Sequence, residues 1–266
     1  MDKRNTEIEL KVPNIDLKRI HPMKIVLGEL KPTKAKVSLY FHDVFHGLKS
    51  VHKSLVSHRE LQHKRRDVEF VSSVNADEFK KIEYLEDLTF FLENAIVRMS
   101  AIRDKIALTS YVYYRHPQHL GGKDLAVKGC LKCGNKTYSE TITEKNCNFG
   151  LLLRYLNQEK VNDDLSKLLR KINKDADLTR IVTQRNTISH RISEYHWIGL
   201  GLVPQTLEIE YVDGQEKATW ALGSRKHELL EEIPRIEETY NRLVSYAEEL
   251  VPIFFPFKSS ATYKEE

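Results

Sequence analysis

An apolar repeat of three or four residues runs almost unbroken from residue 75 to residue 114, and it restricts the fold more than any other feature. This period is that of an amphipathic α-helix. Asn75 is placed to cap the start of the helix, with Glu78 three residues later as in a capping box. At a rise of about 1.5 Å per residue the helix is roughly 60 Å long, which suits the spine of a bundle or a dimer interface. The repeating positions are Leu85, Leu88, Leu92, Ile96, Met99, Ile102 and Ile106.

Helical periods also mark most of the remaining chain. Four further helices are predicted. One begins at Thr33, a second begins at Asn162, a third covers residues 177–195, and the fourth covers residues 224–250. Before the last helix, residues 207–222 alternate apolar and polar side chains around Asp213-Gly214, which predicts a β-hairpin. The sequence therefore predicts a mainly α protein: a helical bundle with a small β-hairpin near the C-terminal helix and an irregular N-terminal segment.

The domain organisation follows from the same patterns. Residues 1–32 form an N-terminal extended segment, in which residues 7–12 alternate with period two and predict a short strand. Residues 33–257 form one helical domain, with a cysteine-containing insertion over residues 116–147 that starts where His-Pro and Gly-Gly pairs end the long helix. The apolar run 253–257 is too hydrophobic to be exposed, and we expect it to pack on the bundle or on a second subunit.

Composition limits the class of protein. Of the 266 residues, 41% are hydrophobic and 30% are charged, which is ordinary for a globular protein in water. No apolar run approaches the ~20 residues of a membrane helix, and the charged start lacks a signal-peptide core, so we expect a cytoplasmic protein with no membrane partner. The net charge of +4 permits a nucleic-acid partner without requiring one. The densest basic patch, residues 58–66, more often marks an exposed helix end than an RNA track.

Residues 185–190, with the sequence Arg-Asn-Thr-Ile-Ser-His, place a cation, an amide and an imidazole in a segment that is otherwise helical. Arginine offers a rigid fork of donors for phosphate oxygens, and histidine titrates closest to neutral pH. On an ideal helix Arg185 falls within an apolar stripe, where it must meet a carboxylate, line a water-filled groove or bind an anion. The stripe consists of Leu178, Ile181, Val182, Ile188 and Ile192.

The geometry of an ideal helix also separates the charged members of this segment. Asn186 and His190 are neighbours at positions i and i+4. Arg185 and His190 are about 140° apart around the helix, so one face does not present both. A groove between two helices or between two subunits is needed to bring them to one ligand.

Arg185, Asn186 and His190, in the last long helix before a short hairpin, resemble the signature of the HEPN superfamily: arginine, a polar residue, variable positions, then histidine. The resemblance implies an all-α fold, a homodimer and, in active members, endoribonuclease activity that needs no metal or other cofactor. It implies that Arg185 holds the scissile phosphate of RNA, that His190 is the general acid or base, and that Asn186 orients His190 or the phosphate. It also implies restraint by a protein antitoxin or another regulator, as for a toxin or a defence effector.

Two alternatives to this interpretation stay open. The first alternative is a non-catalytic HEPN-like module that binds RNA, a nucleotide or a protein partner. In a purely structural interpretation, Arg185 pairs with an acid such as Asp104, and His190 is an ordinary histidine near a helix end. Asp104, which lies between Arg103 and Lys105 in the long helix, is also the acid we expect to steady Arg185 or His190 in the catalytic interpretation.

The insertion offers a different chemistry. Cys130 and Cys133 have the spacing of a zinc knuckle, and Cys147 is a third candidate ligand. Closed zinc sites take four ligands, so the fourth would come from His116, His119 or a side chain elsewhere. The sequence leaves two interpretations, a structural zinc that holds the insertion together and three free reduced thiols.

Overall fold

The computed structural model describes residues 8–14, 32–64, 77–116, 119, 125–130, 137–190, 203–212, 215–223 and 226–256. That part of the chain is mainly helical, as predicted, with six helices and two separate two-stranded sheets. The helices are α1 (Pro32–Lys64), α2 (Asp77–Tyr114), α3 (Phe149–Gln158), α4 (Asp164–Lys174), α5 (Ala176–His190) and α6 (Lys226–Phe254). The strands are β1 (Ala126–Cys130), β2 (Thr137–Thr141), β3 (Val203–Val212) and β4 (Gln215–Gly223). None of the six described helices has an apolar stretch long enough to cross a membrane.

Both sheets are antiparallel hairpins. The hairpin predicted over residues 207–222 is confirmed by β3 and β4, which pair from Val203 with Gly223 to Val212 with Gln215. A second hairpin, β1 with β2, lies within the stretch that the sequence indicated only as an insertion. Its strands have five residues each, too short for an alternation that stands out from the surrounding sequence.

The described contacts divide the chain into two compact units, each assembled from stretches that are distant in sequence. The first unit consists of Met1–Lys11, Ser50–Arg98 and Arg180–Asn241. The second unit consists of Val12–Lys49, Met99–Thr179 and Arg242–Glu266. Each unit has its own buried apolar side chains, with Leu55, Ile96 and Ile181 in the first and Phe41, Ile106 and Phe149 in the second.

A charged pair that is largely shielded from water lies within the first unit. Arg59 Nε donates to Glu237 Oε1 at 2.5 Å and Arg59 Nη2 to Glu237 Oε2 at 2.7 Å, while Nη2 also donates to the carbonyl of Ile8. The Glu237 side chain is 7% exposed. The neighbouring His58 is buried as well, and burial, with the charge of Arg59, lowers its pKa to about 4. We call Arg59, Glu237, His58 and the Ile8 carbonyl the Arg59 cluster.

The prediction of a short strand over residues 7–12 is wrong, because the described part of that segment contains no strand. Its backbone groups are bonded by side chains of α6 instead. The Tyr240 hydroxyl donates to the Lys11 carbonyl at 2.9 Å, and Asn241 Nδ2 donates to the Glu9 carbonyl at 2.8 Å. The Lys11 amide donates to Asn241 Oδ1 at 2.8 Å. These bonds satisfy the backbone without a second strand.

The prediction that the apolar tail packs on the helices is confirmed for Phe254 and Phe255. Both rings lie edge-on to the buried ring of Phe41, with centroid separations of 5.6 and 5.7 Å. Edge-to-face contacts of this kind are favourable for aromatic rings. Phe257 lies outside the described residues.

Helix α3 was not predicted from the sequence. It is capped by Asn148, whose side chain accepts from the Leu151 amide at 3.0 Å. One face of the helix is buried: Phe149, Leu152, Leu153, Tyr155 and Leu156. Three consecutive leucines at residues 151–153 hide the helical period, although Asn148 itself is a recognisable cap.

Helix α4 is capped one residue later than predicted. The cap is Asp163 rather than Asn162, and Asp163 Oδ1 accepts from the Ser166 amide at 2.7 Å. The same oxygen accepts from the buried hydroxyl of Tyr114 at 2.7 Å, which only the folded chain brings near. This second donor is the physical reason that Asp163 takes the capping position.

Candidate active site on helix α5

Helix α5 starts at a network of charged and polar side chains around Asp175. The Asp175 carboxylate accepts from the backbone amides of Asp177 and Leu178, each at 3.1 Å, and so caps the helix. It also accepts from Arg242 Nε and from the Tyr246 hydroxyl, each at 3.0 Å. Although burial opposes it, hydrogen bonds from Arg242 and the Leu178 backbone lower the pKa of Asp175. The start of α5 is therefore held by an ionised carboxylate.

One turn before the motif, α5 is tied to α6 through Glu232. Arg180 Nη2 donates to Glu232 Oε1 at 2.6 Å, and Gln184 Nε2 donates to the same oxygen. The Glu232 side chain is 14% exposed, so this acceptor is largely shielded from water. Gln184 Oε1 is also buried and has no hydrogen-bond partner among the described residues. The bonds of Arg180 and Gln184 to Glu232 therefore fix the orientation of α5 just before Arg185.

The motif itself lies on the last turns of α5. The helix is continuous from Ala176 to His190, as the periodicity predicted, and Arg185 is half-buried while Asn186 is exposed. Leu178 and Ile181 on the same helix are buried, which agrees with the apolar stripe that the sequence predicted around Arg185. The side chain of His190 lies outside the described residues. The predicted meeting of Arg185 with His190 therefore stays a prediction.

Asp104 lies in α2, within the second unit, whereas Arg185 belongs to the first. Asp104 is half-buried, and its electrostatic neighbours include Arg103 and Cys147. Burial lowers the pKa of Arg103, and the Asp104 carboxylate opposes that change. The expectation that Asp104 steadies Arg185 or His190 stays a prediction.

The three cysteines are described to different extents. Cys147 is mostly buried, and its thiol donates to the carbonyl of Ala107 with a sulfur-to-oxygen distance of 3.7 Å. Burial, with a smaller contribution from Asp104, raises the pKa of this thiol to about 12. Cys130 ends strand β1, but its side chain lies outside the described residues, as does all of Cys133. The proposed zinc site therefore stays a prediction, and the described residues contain no group of three metal-binding side chains.

A cleft that the sequence did not indicate lies between α3 and α4, in the second unit. It has a volume of about 570 Å³. Its polar lining consists of the cationic side chains Arg154, Arg170 and Lys174 and the amide side chains Asn157, Gln158 and Asn173, with Gly150 and Leu153 as the remaining residues. No carboxylate is among the described residues that line it. We call this space the basic cleft.

The basic cleft was missed because its cations come from two helices, one of which was not predicted. Arg154 and Gln158 are i and i+4 on α3, and Arg170 and Lys174 are i and i+4 on α4. This matched spacing is the signal that the sequence contains. Without the packing of α3 on α4, however, each pair is indistinguishable from an ordinary solvated helix face.

Comparisons with known proteins assign no function to the candidate site. The chain matches no protein-family model, no curated protein and no solved structure.

Proposed function

We propose that the protein is a metal-independent endoribonuclease of the HEPN type, with Arg185, Asn186 and His190 as its reactive group. The observation that carries the proposal is the half-burial of Arg185 on a helix that continues unbroken to His190. A guanidinium at the edge of an apolar face can bind an anion from which water is partly excluded, where charges interact more strongly than in bulk water. The motif therefore offers both an anion-binding group and, five residues later, a group that transfers protons.

In the proposed reaction, the 2′-hydroxyl of RNA attacks the adjacent phosphorus, and the bond from phosphorus to the 5′ oxygen breaks. One proton leaves the 2′-hydroxyl and one is delivered to the departing 5′ oxygen, so the products are a 2′,3′-cyclic phosphate and a 5′-hydroxyl. His190 moves the proton, and Arg185 binds the phosphoryl oxygens on which charge accumulates. Asn186, one turn before His190, orients the imidazole or the phosphate.

The positions of Arg185 and His190 also favour a homodimer as the active form. They are about 140° apart around α5, so one copy of the helix does not present both to one phosphate. In a symmetric dimer, Arg185 of one protomer and His190 of the other complete a shared site. Regulation by a protein antitoxin or another partner remains part of the proposal, since such an enzyme threatens the RNA of its own cell.

The first experiment incubates the purified chain with labelled single-stranded RNA in excess EDTA. We expect cleavage that leaves cyclic-phosphate ends, and no cleavage of DNA, which lacks the attacking hydroxyl. His190→Ala should lower the rate by about 10² to 10⁴, the usual contribution of a positioned acid or base. His63→Ala is the matched control, because His63 is an exposed histidine on α1, and it should retain the wild-type rate.

Arg185 is tested by two substitutions that differ in what they preserve. Arg185→Lys keeps the positive charge but loses the two-pronged donor geometry, whereas Arg185→Ala loses both. We expect the alanine variant to be slower than the lysine variant by about tenfold or more. Equal rates for all three proteins would remove Arg185 from the reaction.

The shared site is tested by producing Arg185→Ala and His190→Ala together in one cell. A heterodimer of the two variants contains one site with both wild-type side chains, so part of the activity should return. If only the separate variants' residual rates are seen, the site lies within one protomer. Binding of RNA without any cleavage by the wild type would favour the non-catalytic HEPN-like module.

A further inference from the structure

Arg170, the half-buried cation of the basic cleft, is held by uncharged hydrogen-bond partners rather than by a carboxylate. It donates three hydrogen bonds, all to uncharged oxygens. Its Nε donates to Asn157 Oδ1 at 3.0 Å, its Nη1 to Ser166 Oγ at 3.0 Å and its Nη2 to the Val161 carbonyl at 2.8 Å. These bonds fix the guanidinium in place while leaving its net charge in the cleft.

A further arginine reaches this region from α2. Arg103 lies over the ring of Phe149, with its guanidinium carbon 4.6 Å from the ring centroid, and its Nη2 donates to Asn173 Oδ1 at 3.1 Å. Arg103 Nε is buried and has no hydrogen-bond partner among the described residues. Burial lowers the pKa of this guanidinium, which means that the surroundings do not fully compensate its charge. The region thus retains both positive charge and an unused donor.

We propose that the basic cleft binds the sugar–phosphate backbone of single-stranded RNA. Arg154 and Lys174, exposed on α3 and α4, contact phosphate oxygens, and the pre-positioned Arg170 adds its charge between them. The amides of Asn157, Gln158 and Asn173 supply donors and acceptors that match phosphate oxygens and 2′-hydroxyls. The choice of RNA among phosphate-bearing ligands rests on the proposed function, whereas the preference for phosphate rests on the cleft alone.

The volume and the lining agree with this class of ligand. About 570 Å³ lies within the range of clefts that bind small molecules or parts of larger ones. Cations with interspersed amides and without carboxylates attract a polyanion and repel no part of it. The cleft is made from helix surfaces rather than loops, so the backbone positions of its cations are set by two helices.

The test measures RNA binding by fluorescence anisotropy with a short labelled oligoribonucleotide, in EDTA, over a range of salt concentrations. His190→Ala is the parent chain, so that the probe stays intact. Adding Arg154→Gln with Lys174→Gln should weaken binding about tenfold near 0.1 M salt and lower the salt slope by about 1.4, which corresponds to two phosphate contacts on a single strand.

The matched control adds Lys53→Gln with Lys167→Gln, two exposed lysines outside the cleft lining, to the same parent. This pair changes the net charge equally, and binding should change by less than about twofold. Equal effects of the two pairs would overturn the proposal, as would absence of RNA binding by the parent. Competition by 5′-AMP as strong as that of the oligomer, at equal phosphate concentration, would also overturn it, because the cleft would then take a mononucleotide. Arg154→Lys, which keeps the charge, should retain binding.

Binding and cleavage outcomes separate the two proposals. If the cleft pair weakens binding but the wild type does not cleave RNA, the ribonuclease proposal fails and the cleft proposal stands. If the wild type cleaves RNA but the cleft pair behaves like the control pair, only the cleft proposal fails.

Discussion

The Arg59 cluster and the basic cleft both contain a half-buried arginine, but the partners of the two arginines differ in charge. Arg59 donates two hydrogen bonds to the buried carboxylate of Glu237, so the negative charge of that carboxylate compensates its positive charge directly. Arg170 donates its three described hydrogen bonds to an amide, a hydroxyl and a carbonyl, so its charge persists. The charge of the partner, rather than the depth of burial, therefore decides whether an arginine stabilises the fold or remains available to an anion.

The largest expected effect is that of breaking the Arg59 cluster. Glu237→Gln keeps the size of the side chain but leaves Arg59 without its carboxylate, and we expect the free energy of unfolding to fall by about 3 kcal/mol. Urea denaturation measures this change. Glu249→Gln is the control, because Glu249 pairs with Lys171 at 2.8 Å on the exposed surface, where such a pair contributes under about 1 kcal/mol. Similar losses for both variants would show that the shielded Arg59–Glu237 pair contributes no more to stability than the exposed Lys171–Glu249 pair.

The next effect is a pH dependence of stability that comes from His58. Burial and the charge of Arg59 lower the pKa of His58 in the folded protein from 6.5 to about 4. Between these two pH values the unfolded chain binds a proton at His58 and the folded chain does not. The free energy of unfolding should therefore be highest, as far as His58 is concerned, above about pH 6.5, and it should decline by about 2 to 3 kcal/mol as the pH falls toward 4. Urea denaturation across this pH range measures the slope.

His58→Gln should remove most of that slope, since glutamine does not titrate. His63→Gln, at an exposed position on the same helix, should leave the slope as in the wild type. A His58→Gln protein with an unchanged slope would assign the pH dependence to other groups and would weaken the account of the Arg59 cluster as a charge-compensated site.

A smaller loss of stability is expected in the basic cleft. Arg170→Gln removes three hydrogen bonds to uncharged partners, and we expect the free energy of unfolding to fall by about 1 to 2 kcal/mol. The loss should be smaller than for Glu237→Gln because no charge is left buried without its partner. Denaturation of the two variants under identical conditions compares them, and equal losses would show that the charge of the partner does not matter.

The smallest effect is expected for the exposed cations of the cleft. Arg154→Gln with Lys174→Gln should leave the free energy of unfolding within about 0.5 kcal/mol of the wild type. Thermal denaturation, with the Lys53→Gln and Lys167→Gln pair as the reference, checks this. A loss above about 1 kcal/mol would assign these cations a structural role.

Prediction from the sequence succeeded where a pattern was long or had a distinctive turn. Helices α1 and α2, of 33 and 38 residues, were predicted because apolar positions recur in them every three or four residues, and β3–β4 because alternation surrounds Asp213-Gly214. It failed for α3 and for the cap of α4. In the first case consecutive leucines hid the period, and in the second the Tyr114 hydroxyl, 49 residues away, favoured Asp163 over Asn162.

At the candidate site, the helical position of Arg185 agrees with the prediction, whereas its role in a reaction stays a prediction. The sequence predicted that Arg185 lies on the apolar face of a helix, and Arg185 is half-buried on α5. It did not indicate the basic cleft, because Arg154 and Lys174 become neighbours in space only when α3 packs on α4. A local period identifies the face of a helix that is buried, but it does not identify the surface that covers that face.

The mainly α class, the long helices, the β3–β4 hairpin and the position of the Arg185 motif on a helix follow from local sequence patterns, because each depends on residues that are close together in the chain. Long-range packing, in contrast, brings Arg59 to Glu237, binds the N-terminal segment to side chains of α6, and leaves Arg170 charged in a cleft. The physical reason is that hydrogen-bond partners and charge compensation are set by side chains up to some 230 residues apart, which the fold alone brings together.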